Sequence, residues 1–450
     1  MTEGPLLRVL LRVAWPITAA NLAQSLHQII NAWFVGRLGS DAIAAVAASG
    51  PLLNILLSLG SGLSTAGAVL VAQNFGAGQR DAADRIAAQT LLMVLGVGAI
   101  FALAGFALAP LTLHWIGVQP AVLDLTLDYL FVSYAGLVPM YAFLALQAML
   151  QSAGEVRFAM RAMVAAVLAN VALDPLLIFG LGSWPGLGVA GAALATVLAQ
   201  GGAFLAVLWH MLSDRSAIHL RRSHFRPDWQ HMGRALGIGL PASLEQGGRT
   251  FGSLLLMSLA ALFGTVSLAA YGVGTRPFFF WFAPMVGLSI ATAVVVGQNI
   301  GAGKMERAEQ AARLSGWLSF LGFTAIGLVH LPLLGPLAEA LAPGETETVR
   351  EAVTFGWAVF PFMGFMAAVQ CLNGAFRGAG STRHAMTISL VMQYALQLPF
   401  AWGLALYSPM GVNAVWWSYA FSNCVTTVLA VAWLKWGSWR RRLVEPAPPA

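Results

Sequence analysis

Asp174 and Asn170 stand four residues apart, one helical turn if the segment is helical, and Pro175 follows directly. Those three residue types suit the holding of a small cation. A carboxylate supplies the charge, an amide on the same face supplies a neutral ligand or a hydrogen bond, and the proline frees the carbonyl of Val171 by removing a backbone donor. The surroundings make the acid unusual. Residues 158–182 read FAMRAMVAAVLANVALDPLLIFGLG, an apolar run of span length with its one acid near the centre. An ionised Asp there costs roughly 2.5 to 3.5 kcal/mol on the insertion scale, so a carboxylate in that position marks a pathway. A kinked helix with a hydrogen-bonded Asp is the plainer alternative.

Other polar residues fall within apolar runs. Asn21, Gln24, Ser25, Gln28 and Asn31 recur at spacings of three and four, with His27 beside them. That face suits a water-filled cleft, not lipid. His27 could relay protons, its ordinary pKa lying near 6.5, or simply hydrogen-bond a neighbour. Farther on, Glu245, Arg249 and Arg276 are also placed in mid-span. Glu245 and Arg249 are four apart and are expected to pair along one helix, leaving Arg276 without a partner. They read either as a structural ion-pair cluster or as a site for an anionic substrate.

The elements that position these residues follow from composition. Hydrophobic residues make up 58% and charged residues 9% of the chain, against about 25% charged in a soluble domain. The chain belongs in lipid. Twelve spans are read, at about 14–35, 43–72, 87–110, 126–150, 158–181 and 188–212, then 234–263, 267–297, 314–341, 352–374, 385–407 and 411–436. Residues 1–212 form an N-terminal six-helix lobe, 213–232 a cytoplasmic linker, and 233–450 a C-terminal six-helix lobe with a basic tail. The first run is span-length without a small-residue cleavage pattern, so no cleavage is expected. Cys371 and Cys424 both sit in apolar runs and suggest core positions.

Arginine and lysine are retained on the cytoplasmic side. With both termini inside, Arg80, Arg85, Arg157, Arg161, Arg215, Arg221, Arg222, Arg226, Lys304, Arg307, Arg377, Arg383 and the tail Arg440, Arg441 and Arg442 all fall inside. Only Arg37 and Arg350 fall outside. The net charge of +6 is then a topology signal with some attraction to anionic lipid, and no nucleic-acid partner is implied.

The chain repeats itself. Gln73-Asn74-Phe75-Gly76-Ala77-Gly78 returns as Gln298-Asn299-Ile300-Gly301-Ala302-Gly303, and at the same offset of 225 Pro16 matches Pro241, Gly39 matches Gly264, Gly62 matches Gly287 and Ser64 matches Ser289. Ala153-Gly154 through Met160 recurs as Ala379-Gly380 through Met386, one residue out of register. A duplicated six-span unit predicts an all-α membrane protein, twelve transmembrane helices in two six-helix lobes related by an axis along the membrane normal, as in transporters. Aligning Asp174-Pro175 with Leu398-Pro399 shows that the second copy keeps the proline and lacks the acid. Coupling chemistry is expected in the first lobe.

The run Phe34-Val35-Gly36-Arg37-Leu38-Gly39, the two QN-x-GAG turns and the Asp174-Pro175 helix together resemble the multidrug and toxic compound extrusion (MATE) family over essentially the whole chain. The resemblance implies a secondary exporter driven by sodium or proton influx, acting on amphiphilic and often cationic compounds. The family's cation-site residues match Asn170, Asp174 and Thr196, the last lying in Gly191-Ala192-Ala193-Leu194-Ala195-Thr196. The chain also departs from the family: Asn31 stands where members often carry an Asp, Arg249 where one branch carries a Glu, and Ala367 where some carry an acid. A sodium ion would be offered Asp174, Asn170, Thr196, the Val171 carbonyl and Asn31. Neutral ligands favour the metal, and protons compete at the same carboxylate.

Phe278, Phe279, Phe280, Trp281 and Phe282 point all around one helix, and Trp416 with Trp417 add to the aromatics, so most must face lipid or protein. Trp184 and Trp439 are expected as interfacial anchors. The glycine-rich turns read as helix C-caps, since no strand or lysine context supports a nucleotide site. A cation-coupled exporter of amphiphilic small molecules is the adopted reading, monomeric and without a cofactor beyond the coupling ion. Gln24, Gln28, Glu245, Arg249 and Arg276 are its candidate cleft residues. A flippase for a lipid-linked oligosaccharide is the alternative, since Arg249 and Arg276 could meet a pyrophosphate. A membrane enzyme lacks the clustered His, Cys or acid groups it would need.

Overall fold

The computed structural model describes residues 1–450 apart from 183, 214, 441–442 and 445–450, so the expected tail residues Arg441 and Arg442 lie outside the described residues. Long helices dominate. They are α1 (Leu6–Gly36), α2 (Ser40–Gly76), α3 (Arg80–Ile116), α4 (Pro120–Ala135), α5 (Leu137–Ala153), α6 (Val156–Phe179), α7 (Gly188–Leu212), α8 (Trp229–Ala261), α9 (Thr265–Gly301), α10 (Met305–His330), α11 (Leu334–Leu341), α12 (Thr346–Val359), α13 (Met363–Gly378), α14 (Thr382–Leu390), α15 (Leu398–Tyr407) and α16 (Asn413–Trp436). A two-residue antiparallel pair, β1 (Gly180–Leu181) with β2 (Trp184–Pro185), closes the turn from α6 to α7.

Among the described residues, ten helical segments are long and apolar enough to cross a membrane. The pair α4 and α5, bent by 48°, makes an eleventh. Helix α8 is as long but carries Arg234, Glu245 and Arg249, which lower its apolar character. The chain is thus a multi-pass, nearly all-helical membrane protein. Prolines set its breaks. Pro332 lies in the 3-10 turn joining α10 to α11 and Pro361 in the one joining α12 to α13, while a π turn, Val391–Gln397, leads into Pro399. Each proline removes a helical donor, so the backbone changes register around it.

The repeated glycine turns are helix caps. Gly78 and Gly303 adopt φ of 76° and 74°, and Gln79 N–H donates to the Asn74 carbonyl as Lys304 N–H does to that of Asn299, at 3.0 and 2.8 Å. The second repeated pair, Gly154 and Gly380, caps α5 and α13 in the same way. Only glycine takes that left-handed conformation without strain, hence its return at matching positions.

The described chain divides into two compact units: an N-terminal unit, Ala19–Ser243, and a C-terminal unit, Met1–Thr18 with residues 244–444. Against the expected lobes of 1–212 and 233–450, this division groups residues 1–18 with the C-terminal unit, and the 213–232 linker and the start of α8 with the N-terminal unit. The first segments of α1 and α8 are exchanged, and the two switch points, Thr18 and Ser243, are themselves 225 residues apart. Glycines explain the close packing there. In the N-terminal unit a Cβ on Gly62 would lie 2.5 Å from the Ser243 nitrogen, and in the C-terminal unit one on Gly287 would lie 3.0 Å from the Thr18 Cα. Ser243 Oγ also donates to the Leu59 carbonyl at 2.8 Å. Small residues at such crossings let helix backbones approach closely in lipid.

The 213–232 segment is docked on the N-terminal unit. Gln89 Nε2 donates to the carbonyls of His224 and Arg226 at 2.6 and 2.7 Å, while Asp228 N–H donates to Gln89 Oε1 at 3.0 Å. Glu155 receives the His210 ring at 2.7 Å and the Ser216 hydroxyl at 3.1 Å. In the C-terminal unit, Trp416, Phe355, Phe278 and Leu398 form a packed apolar cluster. Trp439 is fully buried and donates to the Leu434 carbonyl at 2.8 Å, which rules it out as the interfacial anchor expected from its place near a span end.

Candidate functional site

Helix α6 carries Asn170 and Asp174 one turn apart, and α1 carries His27 and Asn31 at the same spacing. The two pairs meet rung by rung. His27 Nε2 lies 2.7 Å from the Asn170 amide, and Asn31 Nδ2 lies 3.4 and 3.5 Å from the two Asp174 oxygens. Helix α7 adds Thr196, whose hydroxyl is 3.0 Å from the same amide. Asp174 has no exposed surface and Asn170 is 2% exposed. Four residues expected as cation ligands, and the histidine expected beside them, thus form one cluster inside the N-terminal unit.

Local packing puts them there. Gly191 lets the start of α7 lie against the end of α6, its Cα hydrogen facing the Leu177 carbonyl where any Cβ would collide. Thr196 follows five residues later. Leu187 N–H donates to the Leu177 carbonyl at 2.8 Å and pins the same corner. Val35, Ala42, Ile178, Val189 and Ala192 pack into a small core there, with Phe34 and Tyr129 against it. Sequence reasoning did not single out Tyr129, which lies in the preceding span with Thr126 and Ser133 at helical spacing.

The Asn170 amide has two orientations, distinguished by its network because its oxygen and nitrogen have equal shape. With Nδ2 toward the acid, it donates to Asp174 at 2.9 and 3.2 Å and to His27 at 2.7 Å, while Oδ1 accepts from the Thr196 backbone N–H at 2.9 Å. This satisfies every neighbour and makes His27 an acceptor at Nε2, hence neutral.

The remaining candidates behave differently. Gln24 is half-buried and Gln28 exposed, and neither bonds Asp174 or Asn170. In the C-terminal unit, Glu245 is buried, but its ion-pair partner is Arg377 on α13, at 3.6 Å, and Ser389 donates to it at 2.9 Å. The Glu245–Arg249 pair expected along α8 is absent among the described ion pairs. Arg249 is held elsewhere, donating to Gln370 Oε1 at 3.2 Å with its guanidinium 5.7 Å from the Phe282 ring centre. Arg276 is exposed on α9. The Glu245 network continues through Ser389 to Asn373 at 3.0 Å. Its signal was in the sequence: Gln370, Asn373 and Arg377 share one face of α13 at spacings of three and four.

A MatE family model matches residues 16–176 and 241–403, the two copies of the repeat. A probable multidrug resistance protein, YoeA of Bacillus subtilis (strain 168), is 24% identical over 95% of this chain and 93% of its own length. Another, NorM of Bradyrhizobium diazoefficiens, is 30% identical over 96% of this chain and 94% of its own. A solved structure described as the outward-facing conformation of a multidrug resistance transporter is similar in fold, with a TM-score of 0.90 at 22% identity and 96% of each chain covered.

Proposed function

The chain belongs to the MatE family, and from that premise we propose that it is a secondary antiporter, coupling sodium or proton influx to the export of amphiphilic drugs or metabolites by alternating access. The observation that carries this reading is the fully buried Asp174, ringed by Asn170, Asn31, Thr196 and His27. A lone carboxylate without a cationic partner in such a place is costly unless its charge is periodically cancelled. Inward movement of one monovalent cation per cycle does that. Asp174, Asn170 and Thr196 are the residues offered to sodium, with Asn31 as a fourth. His27, 2.7 Å from the Asn170 amide, is the residue proposed as a proton relay.

Vesicles separate the two ions. With equal pH on both faces and only a sodium gradient imposed, sodium coupling gives export. No export there, with full export under a pH gradient in sodium-free buffer, assigns the cycle to protons.

The reading also includes orientation: a plasma-membrane protein with both termini and the 213–232 segment cytoplasmic, acting as a monomer. The exposed Ser223 lies in that segment, among Arg221, Arg222 and Arg226. A Ser223→Cys variant in intact cells should resist an impermeant thiol reagent and react after permeabilisation. Labelling from outside would invert the topology.

A further inference from the structure

In the C-terminal unit two half-buried arginines stand near one buried acid. Arg249 and Arg377 share one acid, Glu245, and the close contacts of that acid are with Arg377 and Ser389. Arg249 is left with a neutral amide, Gln370 Oε1 at 3.2 Å, and the Phe282 ring. A guanidinium offers five donors, and here one meets Gln370. A half-buried cation that shares its one nearby acid with a second arginine is under-compensated, and an anion that arrives and leaves would relieve it.

More donors lie alongside. Gln393 is buried against α8 at Gly252, three residues from Arg249, so closely that a Cβ there would lie 2.7 Å from its Nε2. That Nε2 has no partner, and neither does Nε2 of Gln397, four residues on. Both amides belong to the π turn Val391–Gln397, which Tyr394 ties to α8 by donating to the Gly248 carbonyl at 2.8 Å. Buried amide donors are seldom left unpaired, and π turns recur at functional sites. By the repeat, this turn stands where α6 carries Asn170 and Asp174, with Leu398 opposite the acid. The second copy thus lacks the acid and carries a half-buried arginine on α8, beside this turn.

We propose that Arg249 and Gln393, with Gln397 behind them, form an anion subsite in the C-terminal unit that receives the carboxylate or phosphate group of a transported amphiphile. The subsite rests on the transport reading above and gives its substrate class: compounds with an apolar body and an anionic head. Phe282 beside the guanidinium supplies a surface for the apolar part, and the bidentate fork of Arg249 selects a planar carboxylate or a phosphate.

Two xanthene dyes of similar shape and opposite charge test it, anionic fluorescein and cationic rhodamine 6G, titrated by fluorescence polarisation onto the purified full-length protein in lipid nanodiscs. Arg249→Gln should weaken fluorescein at least tenfold and leave rhodamine 6G within about twofold. Arg249→Lys, which keeps the charge, should hold most of the fluorescein affinity, and Gln393→Leu should weaken that dye a few-fold. Fluorescein binding unchanged in Arg249→Gln overturns the subsite, as does an equal loss of both dyes that Arg249→Lys does not restore. Should Arg249→Gln fail to fold, Arg249→Lys and Gln393→Leu decide: a Gln393→Leu protein that binds both dyes as wild type does overturns it. Transport separates this from the parent reading. Vesicles that move neither dye under any gradient while fluorescein binding still depends on Arg249 refute the antiporter and leave the subsite standing. Export of rhodamine 6G with fluorescein binding indifferent to Arg249 does the reverse.

Discussion

Asp174→Asn should give a protein of normal abundance that binds substrate and no longer couples its export to an ion gradient, with gradient-driven transport down at least tenfold. The substitution keeps the size of the side chain and its place on α6. It removes the one group in the cluster whose charge a sodium ion or a proton can cancel. Stability should hardly suffer, because an amide can still accept from Asn31 and Asn170, and burying a neutral group costs less than burying a carboxylate. Counterflow of rhodamine 6G in vesicles without a gradient should persist, since it needs binding and the conformational cycle but no coupling. Gradient-driven export at wild-type rates would place the coupling group elsewhere.

Glu245→Gln acts on folding. It leaves the Arg377 guanidinium beside a neutral amide where an acid stood at 3.6 Å, and Ser389 loses a charged acceptor. Removing one member of a buried pair costs about 3 to 5 kcal/mol, and the lower end applies because the Arg377 side chain is 23% exposed. Thermal unfolding in detergent should show the loss. Adding Arg377→Gln should recover a good part of it, whereas adding Arg249→Gln should recover little. Rescue by Arg249→Gln in place of Arg377→Gln would show that the helix-local pair, and not the cross-helix one, carries the energy.

That reversal of partners shows what a sequence can and cannot say. Spacing along one helix brought Asn170 together with Asp174, and His27 alongside Asn31, because both pairs depend on 3.6-residue geometry alone. Spacing alone did not give the contact of one pair with the other; Asn31 was set beside Asp174 by the resemblance to a known family. Glu245 had two candidate partners, and the rule of four residues names only the one on its own helix. Arg377 lies on another helix, 132 residues away, and was placed by its charge at a membrane surface. The amide orientation of Asn170 was beyond any pattern, since it depends on three neighbours at once.

The units themselves were half legible. Hydropathy finds spans, and the repeat finds halves, but neither says which bundle receives a given half-helix. The repeated glycines Gly62 and Gly287 were visible, and so were Pro16 and Pro241. What they cross was not.

The exchange of leading segments at Thr18 and Ser243 fixes the order of events during synthesis. Residues 1–18 emerge first, yet Gly287, against which Thr18 packs, follows 269 residues later. At roughly 5 to 20 residues per second, the wait is on the order of ten to fifty seconds. Throughout that time the ribosome has released an apolar segment whose resting place does not yet exist. A chain cut within 213–232 would give two fragments, each beginning with a half-helix that belongs to the other. Duplication made two similar bundles, and the exchange lets the first be completed only when the start of α8 has been made, about halfway through translation, while the second waits for the rest of the chain.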